Sequence, residues 1–119
     1  MALEDESYKG ADMHPVHQAE DQVVLAVTVR ASSPFYDGHF DGGIKLLPAV
    51  AQIDLVVHAI RRYLDEEFLP GVMPKAKFSA PIKPEMPLLL AIQGKDGTFS
   101  FRFEDAQNKV YAKGKVCRG

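Results

Sequence analysis

The 119-residue sequence contains one cysteine, Cys117, and no tryptophan. A lone thiol forms no internal disulfide and excludes a zinc site built from several thiolates. It suits a reducing compartment, so a cytoplasmic location is expected. An excess of either charge is also missing: 14 Lys and Arg stand against 16 Asp and Glu, for a net charge of -2. Nucleic-acid binders carry a basic excess, so no nucleic-acid partner is expected. No stretch reaches the ~20 apolar residues of a membrane-spanning helix. The longest apolar region, Ile44 to Ile60, is interrupted by Lys45, Pro48, Gln52, Asp54 and His58. The basic start and apolar run of a signal peptide are absent. Repeats and low-complexity tracts are absent too. Composition is 46% hydrophobic and 25% charged, the balance of a globular chain, and the length suits one domain.

What is present is ordered punctuation. Residues 1–13 are polar, acidic and without period, and are expected to be a flexible arm ahead of a single domain over 14–119. Gln22–Arg30 alternates β-branched residues and predicts a strand. The run SSPFYDGHFDGG is dense in Ser, Pro, Asp and Gly and predicts a long loop. Pro48 then opens a helix, with Val50, Ile53, Val57, Ile60 and Leu64 on one apolar face, closed by Pro70 and Gly71. The first half of that helix is apolar nearly all round and is expected to be buried on most sides. Strands follow at Val72–Ala80, Leu88–Gln93, Thr98–Glu104 and Val110–Val116. Asp96-Gly97 supplies a hairpin turn, since Asp-Gly accepts positive φ at low cost. Strands joined by tight turns pair antiparallel, so the fold class is α+β, with one curved sheet wrapped around one buried helix. Phe99, Phe101 and Phe103 form a core stripe.

Few residues in this frame can carry chemistry. His14 and His17 lie in a polar HPVH run and read as solvated. His58 stands one helical turn after Asp54, where it reads as a structural histidine within reach of that carboxylate. His39 sits between Gly38 and Phe40 in the loop leading to the helix. Asp54 occupies the second helical turn among Ile53, Leu55, Val56 and Val57. A carboxylate in such surroundings must find partners or stay protonated. The open backbone N–H groups near Ala49 and Val50 favour developing negative charge. A base, an acid and an oxyanion donor around one loop suit proton abstraction beside a carbonyl with loss of a β-hydroxyl.

The run SPFYDGHFDGGIKLLPAVAQIDL resembles the active-site segment of the hotdog-fold 3-hydroxyacyl-acyl-carrier-protein dehydratases. Its helical acid places it near the Asp-bearing branch, which includes dehydratases of aryl-polyene-type pathways. KFSAPIKPEMPLLLAI is similar to the family's Lys-Phe-x-x-Pro-Ile-x-Pro-Gly-Asp strand pair, and GTFSFRFEDAQNKVYAKGKV to its last hairpin. The likeness covers about residues 22–117.

The resemblance implies a hotdog fold and dehydration of a 3-hydroxyacyl thioester to the trans-2-enoyl thioester, in fatty-acid- or polyketide-like biosynthesis. It makes His39 and Asp54 the catalytic pair, contributed to one site by different subunits of a dimer. It gives the Ala49 amide to the thioester carbonyl and makes Gly38, Phe40 and Pro48 parts of the site loop. No cofactor or metal is implied. The implied partners are an acidic acyl carrier protein or acyl-CoA, and a second copy of the chain. Arg61, Arg62, Lys75 and Lys77 are candidates for the carrier dock or for solvated surface. Four departures mark this chain. Asp41 stands where the family has proline, Ala49 where it has glycine, and Glu85-Met86 where it has Gly-Asp. One extra residue lies between His39 and Pro48. Two other activities fit the same fold: thioester hydrolysis, and a non-catalytic acyl-binding or partner subunit.

Overall fold

The computed structural model describes residues 6–38, 40–41, 43–71, 73 and 75–119. The chain runs β1 (Glu6–Tyr8), β2 (Ala11–Gln18), β3 (Gln22–Val29), a 3-10 turn at Pro34–Tyr36, β4 (Phe40–Asp41), β5 (Ile44–Lys45) and α1 (Ala49–Tyr63). It continues through β6 (Lys75–Phe78), β7 (Leu88–Lys95), β8 (Thr98–Glu104) and β9 (Val110–Cys117). Seven strands form one antiparallel sheet in the order β1-β2-β3-β7-β8-β9-β6. β4 and β5 make a separate small hairpin. The radius of gyration is 13.6 Å.

Alternation builds the core. Val23, Leu25, Val27 and Val29 of β3, Leu88, Leu90 and Ile92 of β7, and Phe99, Phe101 and Phe103 of β8 are buried. Successive strand residues point to opposite faces, so these form one apolar surface. The central helix covers it with Ala51, Leu55, Val56, Ala59, Ile60 and Tyr63. Asp96 and Gly97 turn the β7–β8 hairpin at φ 53 and φ 78, the two positive values a type I′ turn needs.

Three expectations change. The described residues 6–13 of the expected arm form a hairpin: β1, the Lys9-Gly10 turn and the first three residues of β2. Ala11, Met13 and Pro15 of β2 are buried at alternate positions. Asp12, His14 and Pro15 hid that alternation, since all are poor strand formers. Pro15 is accommodated beside a bulge between Pro15 and His17, where a ladder N–H is dispensable. Second, the buried helical face is rotated from the expected one. Val50 is 74% exposed, whereas Gln52 is buried. A helix apolar all round gives periodicity nothing to choose between, and packing decides. Third, the strand expected over Val72–Ala80 contracts to Lys75–Phe78, with Val72 outside the described residues.

Candidate functional site

Pro48 is the N-cap of α1, at φ -69 and ψ 157, and it caps with no side-chain hydrogen bond. The first hydrogen bonds of the helix run from the N–H of Ala51 (3.0 Å) and Gln52 (3.1 Å) to the Pro48 carbonyl. The N–H groups of Ala49 and Val50 therefore lie ahead of the intrahelical ladder, on exposed residues. Gln52 fixes the approach to this end. Its Nε2 donates to the Leu47 carbonyl at 3.2 Å, and the Leu47 N–H donates to Ile82 at 2.9 Å.

Asp54 follows on the second turn with its side chain 31% exposed. Its surroundings are polar, which corrects the apolar environment expected from sequence. Tyr8 Oη donates to Oδ1 at 2.8 Å, and Lys9 Nζ donates to Oδ2 at 2.9 Å. Tyr8 ends β1 and Lys9 opens the turn to β2, both in the segment expected to be an arm. The Tyr8 ring stacks on His58 at 3.8 Å and 9°. Burial, then the bond to Asp54, pushes the Tyr8 hydroxyl above its ordinary pKa. The same carboxylate raises the Lys9 ammonium. Both groups therefore keep their protons across the neutral range.

His58 does not meet Asp54 as the spacing allowed. Its Nε2 lies 3.2 Å from Glu6 Oε1, while Arg62 Nε lies 3.1 Å from Glu6 Oε2. Among the described residues neither His58 Nε2 nor Glu6 Oε2 has a hydrogen-bond partner, so these are close approaches without hydrogen-bond alignment.

Among the loop residues, Gly38 adopts φ 76 with open space around it. Phe40 pairs with Lys45 in the β4–β5 hairpin, which brings the loop back toward Pro48. His39 lies outside the described residues. Tyr36 is 1% exposed and its hydroxyl has no hydrogen-bond partner among them. Burial, and then the nearby Glu85 carboxylate, pushes its pKa up to about 12. Glu85 takes φ 62 at the position of the family's glycine. Its N–H donates to Val29 at 2.8 Å and its Oε2 accepts from the Ala31 N–H at 2.6 Å, which offsets the backbone cost.

Two clear concavities border neither Asp54 nor Ala49. The larger, about 730 Å³, lies on the outer face of the sheet. Among the described residues, Asp54 and the open helix N-terminus lie outside both of these concavities.

The comparisons decide the family. A family model described as ApeI-like, ApeI dehydratase, matches residues 15–115. The chain belongs to the ApeI-like dehydratase family. The dehydratase heterocomplex ApeI:P from Xenorhabdus doucetiae is similar over 99% of this chain and 100% of that one, at 26% identity and a TM-score of 0.80. An uncharacterised protein from Erwinia carotovora subsp. atroseptica is similar over 98% of this chain and 95% of that one, at 26% identity and a TM-score of 0.72. Zebra fish Thioesterase Superfamily Member 2 shares the fold over 89% of this chain and 79% of that one, at 14% identity and a TM-score of 0.63. No curated protein matches the sequence. The α+β hotdog fold expected from sequence is thereby established for this member of the ApeI-like family.

Proposed function

We propose that the protein removes water from a 3-hydroxyacyl thioester carried on an acyl carrier protein, giving the trans-2-enoyl thioester. The observation that carries this reading is the placement of Asp54 behind an uncapped, exposed helix N-terminus in a chain of the dehydratase family. His39 takes the C2 proton. The Ala49 N–H, ahead of the helical ladder, stabilises negative charge on the thioester oxygen. Asp54 binds the 3-hydroxyl as it departs as water.

A dimer supports this chemistry. β6 is an edge strand with all four residues exposed, and among the described residues its outer side carries no partner strand. Phe78 is 40% exposed and Val50 74%. A second copy paired along this edge would cover such apolar surface and bring a second helix alongside. The mass in solution tests this part, and a strict monomer with full activity contradicts it.

Product analysis tests the reaction. Enoyl thioesters of graded acyl length should gain water reversibly, with no free thiol released. Release of thiol would replace dehydration by thioester hydrolysis, and absence of any turnover would leave an acyl-binding subunit.

A further inference from the structure

We propose that Tyr8, the last residue of β1, and Lys9, the first of the turn to β2, are positioning residues that hold Asp54 as an oriented carboxylate. This deepens the dehydratase reading and rests on it.

The first ground is occupancy. Each oxygen of Asp54 accepts from a different residue, Oδ1 from Tyr8 at 2.8 Å and Oδ2 from Lys9 at 2.9 Å. Two donors at fixed places define the plane of the carboxylate, one of them a charge-assisted bond from an ammonium. Each oxygen keeps a further lone pair for a substrate hydroxyl.

The second ground is that the donors are themselves fixed. Lys9 and Gly10 take φ 49 and φ 83, the type I′ pattern. A Cβ on Gly10 would lie 2.7 Å from Ser33 Cβ, so the turn is packed against the loop beyond β3. Ser33 Oγ donates to the Lys9 carbonyl at 2.6 Å, and the Arg30 N–H donates to the Gly10 carbonyl at 2.9 Å. The stack on His58 fixes the Tyr8 ring. The Lys9 ammonium also stands 5.2 Å from the Tyr8 ring centre and 5.8 Å from that of Phe35.

The third ground is the distribution of charge. Glu6, the other described carboxylate of this cluster, faces Arg62 and His58. Lys9 is left to Asp54. A chain carrying loose, solvated charges would not sort its partners in this way.

The consequence is chemical. A carboxylate held by an ammonium and a phenol is an acceptor, so Asp54 orients the 3-hydroxyl and does not supply its proton. The balance then closes on one group. The C2–H bond breaks and His39 takes the proton. The electron pair forms the C2=C3 bond as the C3–O bond breaks. The same proton is returned to the departing oxygen, giving water and the free base.

The test measures kcat and KM for enoyl-thioester hydration in Lys9→Met, Lys9→Arg, Tyr8→Phe and Asp54→Asn, with thermal melting alongside. Lys9→Met should lower kcat by about tenfold with KM nearly unchanged, as expected for losing one charge-assisted hydrogen bond to a reacting group. Lys9→Arg should restore most of that loss, because the cation returns. Tyr8→Phe should lower kcat less. Wild-type kcat in both Lys9→Met and Tyr8→Phe, with Asp54→Asn inactive, overturns the positioning role and leaves the site reading intact. An active Asp54→Asn overturns the site reading and this inference with it.

Discussion

The two edges of the sheet use charge in opposite ways. At the β1 edge, Lys9 meets Asp54 while Glu6 meets Arg62 and His58, all across the gap to the helix. At the β6 edge, Lys75 lies opposite Lys115, and Lys77 lies opposite Lys113, which in turn lies opposite Arg102. In that second cluster only Arg102 has a carboxylate among the described residues, Glu104 at 3.2 Å. Like charges directly opposite across strands oppose pairing. The β1 edge is thus specified by polar contacts to the helix, and the exposed β6 edge holds by its backbone ladder to β9 in spite of its charges. Substitutions at the first should read out in activity, and substitutions at the second in stability.

The largest effect that separates them is at Asp54. Asp54→Asn should reduce kcat for hydration by about 10²-fold or more, the scale of misplacing a reacting group. Its melting temperature should move little, because the carboxylate is part-exposed. A large fall in stability with kcat preserved would make Asp54 a structural residue and erase the contrast.

The next effect is at the other edge. A Cβ on Gly114 would lie 2.6 Å from the Lys75 carbonyl oxygen and 2.9 Å from Ala76 Cα. Backbone must move to admit it. Gly114→Ala should cost about 1–3 kcal/mol in unfolding free energy, the scale of overpacking a close-fitted site, and should weaken any dimer built on β6. Chemical denaturation and solution mass check both.

Tyr36 ends the 3-10 turn after β3 and belongs to neither edge. Its hydroxyl is buried without a partner among the described residues, so Tyr36→Phe should stabilise by about 1 kcal/mol. The raised pKa adds a pH signature. Below pH 10 both folded and unfolded chains keep the phenolic proton. As the pH climbs toward the folded value of about 12, the unfolded chain releases it first and stability falls. Tyr36→Phe should flatten that alkaline loss, and an unchanged slope would refute the burial argument.

The smallest effect is at the β6 edge itself. Lys113→Glu turns two like-charge cross-strand pairs, with Lys77 and Arg102, into opposite-charge ones. It should stabilise by about 0.2–1 kcal/mol, most clearly at low ionic strength. Destabilisation would show that these lysines carry contacts beyond solvent.

The parts legible in the sequence were those with one dominant signal. Thr98–Glu104 formed where Phe99, Phe101 and Phe103 alternate, and Asp96-Gly97 turned the hairpin. The helix and its uncapped start followed from Pro48. Sequence also singled out Asp54, but its partners were hidden. Tyr8 and Lys9 lie more than 40 residues away in the chain, in a stretch whose strand character is masked by Asp12, His14 and Pro15. The pair Lys9-Gly10 before Ala11, Met13 and Pro15 was the available hairpin signal. The burial of Gln52 and exposure of Val50 were not legible, because a helix apolar on every side lets tertiary packing set its rotation.

The most direct test of the central claim is hydration of an enoyl thioester by wild-type protein, His39→Ala and Asp54→Asn, each shown to keep its fold and solution mass. The wild type should add water reversibly, and both variants should lose that activity. Turnover at the wild-type rate in either variant would contradict the claim.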